Sequence, residues 1–132
     1  MSRKALIIDD EPDTATYLGT LLSDNGWDVR TANDVNTGLA LAREETPDIV
    51  LLDLMMPERG GLSALVELRK DAKLGQVPIV IVSGIQEELN ADFRNFLARF
   101  KYKKADAFLD KPVKPEELLK KVDELTAQKT GS

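Results

Sequence analysis

Cysteine and histidine are both absent from this chain of 132 residues. Without cysteine there is no disulfide and no thiolate chemistry. Without histidine there is no imidazole base, and zinc catalysis of the usual kind is excluded with it. Any metal held here must be a hard cation on oxygen ligands, with Mg2+ the leading candidate. Long apolar runs are missing too. Aspartate or proline interrupts each within a few residues, so none approaches membrane-spanning length. Met1-Ser2-Arg3-Lys4 leads into the first run without a stretch of signal-peptide type. Basic residues are outnumbered, 18 against 23 acidic ones, for a net charge of −5 and a pI near 4.8. That balance argues against direct nucleic-acid binding, which needs a basic footprint. The cluster Arg99, Lys101, Lys103 and Lys104 reads as a solvated helix end.

What is present suits one domain over 1–132, with a core from about residue 4 to residue 125. A hydrophobic content of 42% is enough to fill such a core. Lys4-Ala5-Leu6-Ile7-Ile8 reads as a buried strand ending in Asp9-Asp10. Glu11-Pro12 then opens a helix, where the N–H that proline lacks would be unpaired anyway. Ala15, Leu18, Leu21 and Leu22 give that helix its apolar face, and Asn25-Gly26 stops it. Trp27 to Ala32 alternates as an edge strand does. Asp34 is the N-cap of a second helix that carries Leu39 and Leu41 and ends before Thr46-Pro47.

Asp48-Ile49-Val50-Leu51-Leu52-Asp53 is a third strand, a continuous apolar run of the kind buried in parallel sheets. Leu62, Leu65, Val66 and Leu68 mark a third helix closed near Gly75, and Val77 to Ser83 a fourth strand stopped by Gly84. A fourth helix is expected over Glu87 to Tyr102 and a fifth, short strand over Asp106 to Asp110. Pro115 opens a last helix with Leu118, Val122 and Leu125 inward, leaving Gln128 to Ser132 as a frayed polar tail. Strict alternation of strand and helix implies a parallel sheet with helices on both faces.

Four strands end in a notable polar group: Asp9-Asp10, Asp53, Ser83 and Lys111. An aspartate after one strand is an ordinary turn former. In a parallel sheet, however, all the carboxyl ends share one edge, where ligands gather. A carboxylate pair, a third carboxylate, a hydroxyl and an ammonium converging there make a poor set of coincidental turn residues. Three clustered carboxylates repel one another unless a divalent cation neutralises them.

These motifs resemble the receiver domain of bacterial response regulators, the phospho-accepting half of two-component signalling. The resemblance runs from about Lys4 to Leu125. It rests on Asp9-Asp10-Glu11-Pro12, Asp53 with Met56-Pro57 and Gly61, Ser83-Gly84, and Phe108-Leu109-Asp110-Lys111-Pro112. It implies a flavodoxin-like, doubly wound (βα)5 sandwich of three layers with strand order 2-1-3-4-5, an order for which a chemotaxis receiver is itself a standard example. Asp53 is then the phosphoryl acceptor. Asp10 ligates Mg2+ directly and Asp9 through water, with the Asp53 carboxylate and the Met55 backbone carbonyl completing the protein ligands. Lys111 pairs with the phosphoryl oxygens, Ser83 hydrogen-bonds one of them, and a cis Lys111-Pro112 bond aims the lysine.

The implied partners are a histidine kinase or histidine phosphotransfer protein as donor, and a downstream effector protein. The signalling face comprises the fourth helix, fifth strand and fifth helix, a face that also suits a homodimer. The resemblance further implies the cytoplasm, no membrane contact, and no enzyme activity beyond the chain's own phosphorylation and dephosphorylation. No output domain is expected, which favours a stand-alone regulator. A haloacid-dehalogenase-type phosphatase is disfavoured, because its Asp-x-Asp nucleophile motif is replaced by Asp9-Asp10-Glu11. A pseudo-receiver that keeps the fold without using phosphate is the other alternative.

The chain departs from the common receiver pattern in places. Phe108 stands where relatives often carry tyrosine, so a switch ring there would work without a hydroxyl. Gly60 replaces an often acidic or polar residue. The segment between Ser83 and Lys111 is longer than usual, and four of the seven aromatics (Phe93, Phe96, Phe100, Tyr102) fall in it. A helix outgrowing its sheet predicts a partner or dimer contact at Phe100 and Tyr102. Apolar Met55 and Ile85 flank the expected path of hydrolytic water and predict a comparatively long-lived acyl phosphate.

Overall fold

The computed structural model of the chain describes residues 3–53, 61–83 and 106–130, without the side chains of residues 61, 62, 83, 108, 110 and 128–130. Five strands appear: β1 (Arg3–Ile8), β2 (Trp27–Ala32), β3 (Ile49–Leu52), β4 (Ile79–Ser83) and β5 (Ala107–Asp110). They pair in parallel in the order β2-β1-β3-β4-β5. The helices described are α1 (Pro12–Asp24), α2 (Val35–Glu44), α3 (Gly61–Lys70) and α4 (Pro115–Thr130). The helix predicted over Glu87 to Tyr102 lies outside the described residues, and so do Phe100 and Tyr102.

Side chains of a strand alternate between its faces, and here the two faces hold two separate cores. Leu6, Ile8, Val50, Leu52, Ile79 and Ile81 point to one side, where Val35, Leu39 and Ala42 of α2 and Ala64, Leu65 and Leu68 of α3 cover them. Ala5, Ile7, Ile49, Leu51, Val80 and Val82 point to the other, against Leu18 and Leu22 of α1 and Leu118 and Val122 of α4. The result is helix, sheet, helix in three layers. Each fully buried Ile or Leu in it contributes about 1.5–3 kcal/mol of transfer free energy.

The close seating of α2 on β1 depends on a glycine. A Cβ at Gly38 would lie 2.5 Å from Ile8 Cδ1 and 2.7 Å from Ile8 Cγ1. Asp34 caps this helix as expected, its carboxylate accepting from Thr37 N at 2.7 Å. Gly26, at φ 89, takes the left-handed conformation that ends α1. On the far edge of the sheet from the carboxyl ends, the Arg3 guanidinium lies 4.2 Å over the buried Trp27 ring. It also donates to Asp123 at 3.0 Å and Thr126 at 3.1 Å, tying α4 to the start of β1.

The strand expected from Val77 begins at Ile79, and two helix ends also differ from those predicted. Helix α3 stops at Lys70, short of Gly75, because the Asp71 carboxylate accepts from the amides of Lys73 and Leu74 and turns the chain. At the other end of the chain, the backbone of α4 continues to Thr130 rather than fraying at Gln128. Alanine, glutamine and lysine in its last turn are good helix formers, so polarity alone did not end it.

Candidate functional site

Where the strands stop, the sheet ladder carries on by one residue on β1 and β3. The Asp9 amide donates to the Ala32 carbonyl at 3.0 Å, and the Asp53 amide donates to the Ile8 carbonyl at 2.9 Å. These bonds fix the two aspartates side by side at the carboxyl edge. Both are buried, each 3% exposed. Asp10 follows Asp9 and is half-buried. Asp9, Asp10 and Asp53 each offer a carboxylate oxygen, and these oxygens lie within 4.8 Å of one another.

Lys111 comes from the other side of the sheet. It follows β5 directly, and the Lys111-Pro112 peptide is cis. Its ammonium lies 3.1 Å from Asp9 Oδ2 and 3.5 Å from Asp53 Oδ2. Glu11, at the start of α1, supplies a third carboxylate to the same ammonium. Ser83 is the last residue of β4 and pairs in register with Asp110, so its backbone closes the same edge. Phe108 lies in β5 opposite Ile81. The side chains of Ser83 and Phe108 lie outside the described residues, as do Met55, Gly84 and Ile85.

The electrostatics follow from this crowding. Burial pushes the Asp9 carboxyl up to about 6. The Glu11 amide opposes that shift, the Asp53 charge adds to it, and Lys111 opposes it. For Lys111, burial alone would lower the ammonium, but its bond to Glu11 and the charges of Asp53 and Asp9 outweigh this and hold it above the usual lysine value. Asp9 Oδ2 is buried and receives no directed hydrogen bond among the described residues, although Lys111 is near. A buried carboxylate oxygen with a lone pair to spare, in a set of oxygens only, fits a hard divalent cation such as Mg2+.

Sequence reading placed Asp9, Asp10, Asp53 and Lys111 on one edge, and the structure brings the four together. It had no role for Glu11, which it treated as part of a motif. It also missed the Tyr17 hydroxyl, which donates to the Val113 carbonyl at 2.9 Å and holds α1 to the loop after β5.

A parallel sheet in this order, with an acidic cluster across the β1/β3 switch point, defines the flavodoxin-like doubly wound class. Within that class the response regulator receiver domain matches residues 5–123, and the chain belongs to that family. Protein PilH of Pseudomonas aeruginosa is similar, 36% identical over 124 residues that cover 94% of this chain and 98% of PilH. A CheY-like response regulator receiver domain protein from Methanospirillum hungatei superposes with a TM-score of 0.85 at 26% identity, covering 100% of both chains. A response regulator receiver domain protein from Clostridium thermocellum gives 0.81 at 28% identity, covering 97% of each. Among the described residues no helix is long and apolar enough to cross a membrane.

Proposed function

We propose that this chain is a phospho-accepting receiver that takes a phosphoryl group on Asp53 from a phosphohistidine donor, a histidine kinase or histidine phosphotransfer protein. The observation that carries the reading is the position of Asp53. It is buried, adjacent to Asp9 and Asp10, and within ion-pair reach of Lys111. An Asp53 carboxylate oxygen forms a bond to phosphorus while the donor's P–N bond breaks, and the electron pair stays on the ring nitrogen. Such a transfer needs positioning and charge neutralisation more than a general base, which suits a chain without histidine. Lys111 meets the phosphoryl oxygens as a point charge, and Ser83 offers them a hydroxyl.

Asp9, Asp10 and Asp53, with the Met55 carbonyl, are the residues that hold Mg2+. When bound, the ion supplies positive charge against the carboxylates and the phosphoryl oxygens. The chain turns over no outside substrate and acts only on its own phosphorylation state, in the cytoplasm. The signal leaves through the 87–102 segment, β5 and α4 toward an effector or a second copy, with Phe108 as the switch ring and Phe100 and Tyr102 as contacts.

Incubation with Mg2+ and acetyl phosphate tests the reading by intact mass. The wild-type chain should gain one phosphoryl group, while Asp53→Asn and wild type with chelator should gain none. A wild-type chain that takes up neither phosphoryl nor beryllofluoride is a binding module that has kept only the fold, and the proposal fails.

A further inference from the structure

Glu11 occupies the N-cap of α1, at φ −91 and ψ 110, yet its side chain makes no capping bond. Short acceptors such as Ser, Asp or Asn are favoured at that position because they reach back to the first free amides of the helix. The glutamate instead turns away from the helix and bonds the Lys111 ammonium. Its backbone is pinned on both sides. The amide donates to Asp9 Oδ1 at 2.9 Å, and the carbonyl accepts from Ala15 N at 3.0 Å.

An ammonium has three protons to give, and carboxylate oxygens of Asp9, Glu11 and Asp53 surround that of Lys111. A phosphoryl group arriving at Asp53 therefore finds its lysine already engaged. The three carboxylates differ in one respect. Those of Asp9 and Asp53 are 2% and 3% exposed and have nowhere to go, whereas that of Glu11 is 60% exposed. Glu11 also lines, with Lys111, Asp13 and Tyr17, a cavity of about 510 Å³ open to solvent. It is the one partner that water can take back at little cost.

The geometry points to Glu11 as an internal competitor. Its carboxylate holds Lys111 in the resting chain and is displaced when a phosphoryl-like anion enters, so it sets how tightly the site takes that anion. This rests on the phospho-acceptor reading above and adds a residue to it. Glu11 is a positioning residue, acting through Lys111 rather than on the reacting atoms.

The test uses the full chain at saturating Mg2+, with beryllofluoride binding followed by fluorine NMR. The dependence of Asp53 phosphorylation on acetyl phosphate concentration is measured in parallel. An exposed ion pair of this kind predicts that Glu11→Gln binds beryllofluoride about two- to fivefold more tightly. The half-saturating acetyl phosphate concentration should fall by the same factor, with the rate at saturation unchanged. Glu11→Asp keeps the charge but shortens the reach by one methylene, so it should behave like Glu11→Gln. Asp13→Asn removes a neighbouring charge from the same cavity and should leave affinity as in wild type.

Unchanged or weaker binding by Glu11→Gln overturns the competition. So does equal tightening in Asp13→Asn, or wild-type affinity in Glu11→Asp, because both mean that bulk charge is responsible. A wild-type chain that binds no beryllofluoride overturns the phospho-acceptor reading itself, a failure distinct from a wild type that binds and a Glu11→Gln that does not differ.

Discussion

Asp9 is more easily protonated in the native chain than a free carboxyl, at about 6 against 3.8. A group whose folded-state value is raised favours the fold below its unfolded value, and that contribution is lost as pH rises through the folded value. From pH 4 to pH 7 the metal-free chain should therefore lose on the order of 2–3 kcal/mol from this one residue. Asp9→Asn mimics the protonated form. In the absence of Mg2+ it should be more stable than wild type at pH 7.5 and no more stable at pH 4, as read by urea denaturation. A variant no more stable than wild type at pH 7.5 would show that Lys111 already compensates the charge. Added Mg2+ should stabilise wild type at pH 7.5 far more than the variant. Asp9, Asp10, Asp53 and Lys111 were legible in the sequence because each follows an apolar run, and the ends of parallel strands share an edge. Glu11 was not, because its meaning lies in a partner 100 positions away that no local pattern announces.

At the scale of elements, the packing of α2 on β1 makes a test of its own. Alanine at position 38 should help the helix by about 1 kcal/mol in intrinsic propensity. The added methyl would meet the side chain of Ile8, which is fully buried. Overpacking of this kind costs about 1–3 kcal/mol, so Gly38→Ala should be net destabilising by up to roughly 2 kcal/mol in a urea titration. A neutral or stabilised variant would mean that the Ile8 side chain gives way. Nothing in the sequence marked Gly38, which sits in an otherwise ordinary helical pattern; its necessity appears only once β1 lies beneath it. The strands themselves were readable from their apolar runs, and β2 from its alternation, which suits the edge it occupies. The end of α3 was misjudged because a side chain, Asp71, stops it before the glycine does.

Across the whole molecule, Arg3 joins the first strand to the last helix through Trp27, Asp123 and Thr126. Its exposure limits the gain, and Arg3→Ala should cost about 1 kcal/mol. Faster hydrogen exchange in α4 than in α2 should accompany the loss, and unchanged exchange in α4 would exclude a tie at this point. Which strand lies beside which was not readable from periodicity, since crossovers decide it; the order came from the family resemblance and was then met in the coordinates. That order has a consequence for how the chain is made. β1, β2 and β3 are neighbours, so residues 3–53 can come together as a unit of three strands before the rest has been synthesised. A unit formed that early would gather Asp9, Asp10 and Asp53 before Lys111, which lies beside Asp9 and Asp53 in the complete chain, had been made. Such a half-sheet would assemble against its own charge, with a cation or a proton on Asp9 the only relief until Lys111 arrives behind β5.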